Sequence, residues 1–155
     1  MKKGLLGRYA TPPVGKPPPA RSRQVSKVMS SNKSSQTGPE IALSKLLRKR
    51  ILKADLPGHP DFVYPAAKVA VFVHGCFWHR CPVCSLPLPK THRTYWKRKF
   101  QRNVERDGLN RRQLESMEWR VLEVWEHEIK EDPARVVAEV RRAADLTTRP
   151  RIGPV

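Results

Sequence analysis

The stretch that decides the fold spans residues 61–73 and reads Asp61-Phe-Val-Tyr64, Pro65-Ala-Ala-Lys68, Val69-Ala-Val-Phe-Val73. β-Branched and aromatic residues fill its two ends, and a Pro-led segment separates them, which is typical of two strands joined by a tight turn. If the strands pair antiparallel about Ala67, then Phe62 faces Phe72 and Asp61 faces Val73. The pattern therefore predicts a pair of strands that brings the Asp61 carboxylate to the backbone of Val73.

A helical pattern precedes these strands. Thr37 and Glu40 have the spacing of a capping box, and leucines follow at helical intervals, which predicts an amphipathic helix from about residue 38 to 52. Only three residues, 53–55, separate this helix from the turn-prone segment 56–60. That spacing leaves little room for a further edge strand.

Three more elements follow. Trp96, Phe100 and Val104 recur at intervals of four and predict a basic helix between residues 90 and 117. Residues 119–125 are rich in β-formers and predict a strand, and Asp132-Pro133 is a typical start for a last helix. The order helix, strand, strand, helix, strand, helix predicts an α/β domain with a small mixed sheet flanked by helices.

Charge and composition limit the partners. The chain has 155 residues, with 31 Lys and Arg against 14 Asp and Glu, a net charge of +17 and a pI near 10.5. A polyanion, most simply nucleic acid, is the expected partner. No run of 18 apolar residues and no apolar secretory leader is present, so we expect a soluble cytoplasmic protein, associated with the nucleoid.

The chain divides into three regions. Residues 1–36 are rich in Pro, Ser, Lys and Arg and contain no acidic residue, which predicts a disordered basic arm that orders on DNA. A merely solubilising leader is the alternative for residues 1–25. We expect one domain over residues 37–146 and a short tail over residues 147–155.

Residues 74–84 concentrate chemistry. They hold two histidines, Phe77, Trp78 and all three cysteines of the chain. Such a group has little value as core packing, so it indicates a functional site. Cys76, Cys81 and Cys84, spaced by five and three residues, fit an intracellular metal site better than a disulfide framework. Three reduced thiols without a metal are the alternative.

Taken with their neighbours, these residues closely resemble the very-short-patch repair (Vsr) endonucleases, whose fold is restriction-endonuclease-like. The resemblance covers about residues 29–130 and is strongest in segments 56–61, 72–79, 103–107 and 119–126. It implies a restriction-endonuclease-like single domain that nicks double-stranded DNA at T·G mismatches arising from 5-methylcytosine deamination. It also implies a monomer that works with mismatch-repair proteins and a DNA polymerase.

The resemblance further implies a magnesium site. Asp61 matches the family's metal-binding aspartate, and Val73 matches the residue that gives the metal a main-chain carbonyl, although Val lacks the side-chain oxygen that the family usually has there. His79 matches the histidine that activates water, and His74 a second histidine near the phosphate. Glu40 matches a glutamate near the metal, and its alternative role is the capping box. A neutral imidazole can accept a proton near pH 7, which suits His79 to this role.

The resemblance implies a structural zinc site as well. His127 occupies the place of the family's last zinc ligand and completes a Cys3His set with Cys76, Cys81 and Cys84. Such a set is typical of closed, structural zinc. His92 is the alternative fourth ligand.

DNA contacts are expected on both sides of this region. Phe77 and Trp78 match aromatic wedges that enter the base stack, and Met29 matches a methionine that intercalates from the arm. Ordinary core packing is the alternative for the aromatic pair. Lys90, Arg93 and Lys97 are candidate phosphate contacts, and a solvated helix face is the alternative. Two other functions stay open: a zinc-stapled protein that binds distorted DNA without cutting it, and a nicking nuclease with another target.

Overall fold

A computed structural model describes residues 15–16, 36–48 and 55–144. Over these residues there are four helices, α1 (Gly38–Leu47), α2 (Arg93–Ser116), α3 (Glu126–Glu131) and α4 (Pro133–Ala143), and three strands, β1 (Phe62–Tyr64), β2 (Val69–His74) and β3 (Arg120–Trp125). β1 pairs antiparallel with β2, and β2 pairs parallel with β3. The prediction of an α/β domain with a small mixed sheet is confirmed. Within the described ranges, no helix is long and apolar enough to cross a membrane.

The register between β1 and β2 differs from the predicted one. Phe62 pairs with Val71, not with Phe72, so Asp61 does not lie opposite Val73. The cause is the connection between the strands. Residues Pro65–Ala67 form a 3-10 turn, and Lys68 closes it in the left-handed conformation with φ 50°. The turn therefore consumes four residues, and Pro65 has no N–H to offer a ladder.

Two predicted boundaries also differ from the structure, and one helix was not predicted. α1 ends at Leu47, because Arg48 adopts the left-handed conformation. The predicted end at residue 52 falls within residues 49–54, which lie outside the described residues. The second predicted helix begins at Arg93 instead of residue 90. α3 was not predicted, since it follows β3 without a loop and is capped by Glu128, which accepts a hydrogen bond from the Trp125 N–H (2.9 Å).

The hydrophobic core lies on one face of the sheet. Val69, Val71 and Val73 alternate along β2 towards this face, because successive strand residues point to opposite sides. Apolar side chains from β1, β3 and the helices α1, α3 and α4 cover them. The members include Leu43, Phe62, Tyr64, Val124, Ile129, Val136 and Val140.

α2 carries a different set of contacts. Trp96, Phe100 and Leu114 are buried, whereas Val104 is 47% exposed, so the predicted apolar stripe does not continue through Val104. At 3.6 residues per turn, the inward face passes from position 100 to positions 103 and 107. α2 therefore presents polar side chains to the region where β2 ends.

Candidate active site

Asp61 lies immediately before β1 and is held by the backbone of β2. Its N–H donates to the Val71 carbonyl (2.9 Å), and its Oδ2 accepts a hydrogen bond from the Val73 N–H (2.7 Å). Burial, together with the negative charge of Glu40, raises the pKa of Asp61 to about 7, against the opposing effects of the Val73 hydrogen bond and His79. A carboxylate in such a poorly hydrated position is a ready oxygen ligand for a cation.

Glu40 lies in the first turn of α1, and only 5% of it is exposed. Its Oε2 accepts a hydrogen bond from the Gln36 N–H (2.6 Å), and its Oε1 accepts one from the Thr37 hydroxyl (2.8 Å). The capping box is thus incomplete, because the Thr37 hydroxyl does not cap the helix backbone. Glu40 both organises the helix start and places a second carboxylate close enough to perturb Asp61.

Two histidines lie against each other where β2 ends. His74 is the last residue of β2 and is 6% exposed, and its ring centroid lies 4.3 Å from that of His79. His79 Nδ1 lies 2.5 Å from Oδ2 of Asp107, which is on α2. Because an ionised carboxylate only accepts hydrogen bonds, this contact keeps the proton on Nδ1 and leaves Nε2 as an acceptor. That arrangement suits His79 to taking a proton from water.

Sequence reasoning does not single out Asp107. One Asp within a strongly charged helix looks like an ordinary solvated residue, although segment 103–107 carries part of the family resemblance. The ligand atoms of His74, His79 and Asp107 all lie within 4.8 Å of one another. Asp107 thus joins two residues that were predicted to act together.

A second acid lies on the same side of the sheet as His74. Glu123 on β3 approaches His74, with 3.7 Å between Oε1 and Nε2, and forms a two-pronged ion pair with Arg111 of α2. Its contacts with His74 and with the Arg111 guanidinium lower the pKa of Glu123 to about 2, against the effect of burial. Neither residue was predicted from the sequence to belong to the site.

The predicted zinc ligands meet in space. The ligand atoms of Cys76, Cys81, Cys84 and His127 all lie within 4.8 Å of one another, with Nδ1 of His127 3.3 Å from the Cys76 sulfur. Desolvation and the neighbouring thiols raise the pKa of Cys84 to about 12. Crowded thiols resist ionisation, and a bound cation would reverse that, so the donor set fits a soft divalent metal. The alternative ligand, His92, is exposed at the start of α2 and lies outside this group.

The aromatic pair that precedes His79 packs against α2. Phe77 lies edge-on to Phe100 (centroids 5.1 Å apart), and Trp78 lies 6.0 Å from Trp96. Both Phe77 and Trp78 are partly exposed. The Trp78 carbonyl accepts a hydrogen bond from the Asn103 side chain (3.0 Å), which fixes the backbone directly before His79.

The remaining predicted DNA contacts occupy different positions. Lys90, Arg93 and Lys97 are all exposed, at and before the first turns of α2. Lys99 extends over the Trp78 ring, with 5.2 Å between its Nζ and the ring centroid. Met29 lies outside the described residues. The exposed cations and the aromatic cluster therefore occupy the same end of α2, close to the two histidines.

Comparison with known proteins gives this site a context. The family model of the DNA mismatch endonuclease Vsr matches residues 20–84, which include Asp61, His74, His79 and all three cysteines. The type II nicking enzyme V.NaeI of Lentzea aerocolonigenes is 43% identical over 124 residues, covering 74% of this chain and 74% of that enzyme. The type II nicking enzyme V.XorIIP of Xanthomonas oryzae pv. oryzae is 37% identical over 123 residues, covering 76% of this chain and 90% of that enzyme.

A third relative carries the family's own name. The DNA mismatch endonuclease Vsr of Escherichia coli (strain K12) is 43% identical over 77 residues, covering 50% of this chain and 49% of that protein. Both nicking enzymes align with about three quarters of the chain. On this evidence, the chain belongs to the family of the DNA mismatch endonuclease Vsr.

Proposed function

We propose that this chain is a metal-dependent endonuclease that nicks double-stranded DNA at T·G mismatches, such as those left by deamination of 5-methylcytosine. The observation that carries the proposal is the grouping of the hydrogen-bonded pair His79 and Asp107, the adjacent His74 and the partly buried Asp61 at one end of the sheet. This grouping offers a base for water and an oxygen ligand for a cation. Hydrolysis of a phosphodiester requires both.

Magnesium is the cation we propose for the oxygen-rich side of the site. Asp61 would bind it directly, the Val73 carbonyl would be a second ligand, and Glu40 would act through water. The raised pKa of Asp61 supports this fit, because the carboxylate charge is poorly compensated by the surrounding side chains. When bound, Mg²⁺ would orient the phosphate and stabilise the charge that develops on its oxygens.

His79 and Asp107 remove the proton of the attacking water. Asp107 holds the Nδ1–H of His79, so Nε2 accepts a proton from a water molecule as the water oxygen bonds to phosphorus. The bond between phosphorus and the 3′ oxygen breaks, and that oxygen takes a proton from solvent water and leaves as a hydroxyl. The products are a 5′-phosphate and a 3′-hydroxyl. His74 borders the same phosphate, and with both ring nitrogens protonated it can donate one N–H to a phosphate oxygen while the other N–H faces Glu123.

We assign the Cys3His group to a structural zinc ion. Sulfur and imidazole ligands suit Zn²⁺, and four protein ligands leave no open position for chemistry. The ion would tie the segment that contains His79 to α3 through His127. The zinc ion would therefore have a structural role and no part in the reaction.

The DNA is expected to lie along the start of α2. The net charge of +17 and the exposed Lys90, Arg93 and Lys97 support phosphate contacts, and partly exposed Phe77 and Trp78 adjoin them. A T·G pair stacks less well than a matched pair, which lowers the cost of inserting an aromatic wedge beside it. Target choice would therefore depend on how easily the duplex is distorted.

The test is a nicking assay on end-labelled duplexes that differ only in one base pair. We expect Mg²⁺-dependent cutting of the T strand at T·G, little cutting at T·A or C·G, and none with Asp61→Ala. Undiminished nicking by Asp61→Ala would contradict the proposed site. Tight binding of the T·G duplex by the wild type without nicking would favour the zinc-stapled binding protein instead.

A nicking nuclease with another target is the second candidate, and the names of the two nicking relatives favour including it. The same assay distinguishes it when the panel contains other mismatches and varied flanking sequences. Equal or faster nicking of such a duplex would replace T·G as the assigned target while keeping the reaction.

A further inference from the structure

The side of the sheet opposite the hydrophobic core carries an unusual row of side chains. The parallel register places Glu123 beside Phe72 and Trp125 beside His74, and these four residues point away from Val73 and Val124. Glu123 is the one acid in this row. Its side chain is 21% exposed and that of His74 is 7% exposed, so water competes weakly for their contact.

Glu123 is held from the helix above it. Arg111 places Nε 3.1 Å from Oε1 and its Nη2 against Oε2, so the guanidinium binds both oxygens of the carboxylate. A two-pronged pair fixes the plane of a carboxylate as well as its position. The same Oε1 also lies 3.7 Å from His74 Nε2, so Arg111 holds in place the oxygen that faces the imidazole.

Ring contacts alone do not orient His74. Its neighbours His79 and Trp125 lie with centroids 4.3 and 5.2 Å away and with their rings tilted by 33° and 49° to the imidazole. A flip of the imidazole by 180° exchanges its nitrogens with carbons and leaves such ring contacts nearly unchanged. A carboxylate at one edge removes this freedom, because only one orientation presents a nitrogen to it.

We propose that Glu123 is a positioning residue that fixes the orientation and tautomer of His74, and that Arg111 holds Glu123 for this task. The proposal rests on the proposed nicking reaction, in which His74 orients the phosphate. It gives α2 two related duties four residues apart, because Asp107 holds His79 directly and Arg111 holds His74 through Glu123. Outer-shell partners of this kind commonly change activity by about 10- to 100-fold.

The experiment compares Glu123→Gln and Arg111→Met with a matched pair at the opposite end of the sheet. There, Glu118 and Lys68 form an exposed ion pair (2.8 Å), so Glu118→Gln and Lys68→Met are the controls. Single-turnover nicking of the T·G duplex is measured at saturating Mg²⁺, and duplex affinity is measured separately without Mg²⁺. We expect Glu123→Gln to lower the rate by about 10-fold or more and to change affinity less than about twofold, as in the range for outer-shell partners. The controls should match the wild type in both.

A mutant cycle separates positioning from a general loss of structure. In a His74→Ala background, Glu123→Gln should have no further effect on the rate, because the residue through which it acts is absent. An equal fall in both backgrounds would overturn the proposal. Wild-type nicking rates for both Glu123→Gln and Arg111→Met, in protein that retains His74, would also overturn the proposal.

A second readout does not depend on cleavage. Long-range ¹H–¹⁵N correlation spectra of the DNA-free protein report which imidazole nitrogen carries the proton, and His74→Ala identifies the His74 signals. We expect Glu123→Gln to change the ¹H–¹⁵N correlation pattern of the His74 imidazole. The pattern of His79, whose partner is Asp107, should stay the same. An unchanged His74 pattern contradicts the proposal. Absence of nicking by the wild type on every duplex contradicts the proposed function instead, and the spectra still decide whether Glu123 sets His74.

Discussion

Asp61 is the residue whose environment differs most from that of a free side chain. Its carboxyl group has a pKa of about 7 in the fold, against 3.8 for the unperturbed group, because of burial and the nearby Glu40. A raised pKa means that the fold favours the protonated form. Any stability from this preference is complete below pH 3.8 and is lost as the pH rises through about 7.

We predict that Asp61→Asn stabilises the metal-free protein at high pH while abolishing nicking. The neutral amide keeps an oxygen for the Val73 N–H and removes the poorly solvated charge. Above pH 7, the free energy of unfolding should rise by about 1–3 kcal/mol, and near pH 4 it should be almost unchanged. Urea unfolding in Mg²⁺-free buffer at both pH values measures this. A loss of stability at pH 8 would show that the Asp61 charge is well compensated.

Asp107 provides the second prediction at this scale. Asp107→Asn removes the acceptor that keeps the proton on Nδ1 of His79, so the fraction of His79 able to act as a base falls. The single-turnover nicking rate should decrease by about 10- to 1,000-fold, with duplex affinity preserved. Glu105→Gln is the matched control on the same helix, since Glu105 is exposed and its carboxylate accepts a hydrogen bond from the Gln101 side chain. A rate equal to that of the control would remove Asp107 from the mechanism.

Among the elements, the turn before β1 depends on α2. Gly58 has φ 76°, and a Cβ added there would lie 2.7 Å from the side-chain nitrogen of Asn110. The turn that leads to Asp61 therefore rests directly on α2, and only a residue without a side chain fits both the backbone conformation and the contact.

Gly58→Ala should accordingly lower the free energy of unfolding by about 1–3 kcal/mol. Gly38→Ala is the control, because an added Cβ at Gly38, in the first turn of α1, meets nothing within 4 Å. Adding Asn110→Ala to Gly58→Ala should recover the part of the loss that comes from the clash and leave the part that comes from φ. Urea unfolding of the four proteins gives both terms, and equal stability of the Gly58 and Gly38 variants would contradict the contact.

The sequence predicts those features that depend on local residue types, and it misses those that depend on how distant elements pack together. The strands and their class were predictable, because their β-branched residues are local signals. The register was missed, since it depends on whether the connection at Pro65 consumes three or four residues. The grouping of Cys76, Cys81, Cys84 and His127 was predictable from residue type and family resemblance, and their role as zinc ligands stays a prediction. Asp107 and Glu123 were not predictable, because only the packing of α2 on the sheet separates them from other surface acids.

For the whole molecule, the Cys3His group joins the segment between β2 and α2 to helix α3. Residues 75–92 between β2 and α2 contain no helix or strand, and three of the four ligands lie in this segment. The fourth, His127, lies on α3. Loss of the metal should therefore loosen the segment and its junction with α3 together.

We predict one zinc ion per chain and a lower thermal midpoint after zinc removal. Chelation should lower the midpoint by several degrees or more, and Zn²⁺ but not Mg²⁺ should restore it. Elemental analysis and thermal unfolding with and without chelator provide the measurement. Asp61→Asn should show the same decrease, because the two metal sites are separate. A midpoint insensitive to chelation would favour three reduced thiols at this position.

One turn of α2 supports two consecutive residues with different tasks. Asn103 holds the Trp78 carbonyl, and Asp107 holds the side chain of His79. Inserting a residue between Trp78 and His79, or deleting either of them, would break at least one of these attachments. This part of the chain therefore has little freedom to vary in length during evolution. Residues 85–91, most of which are exposed, lie beyond the last proposed zinc ligand of this segment, and we expect relatives with different targets to differ in length and sequence mainly there.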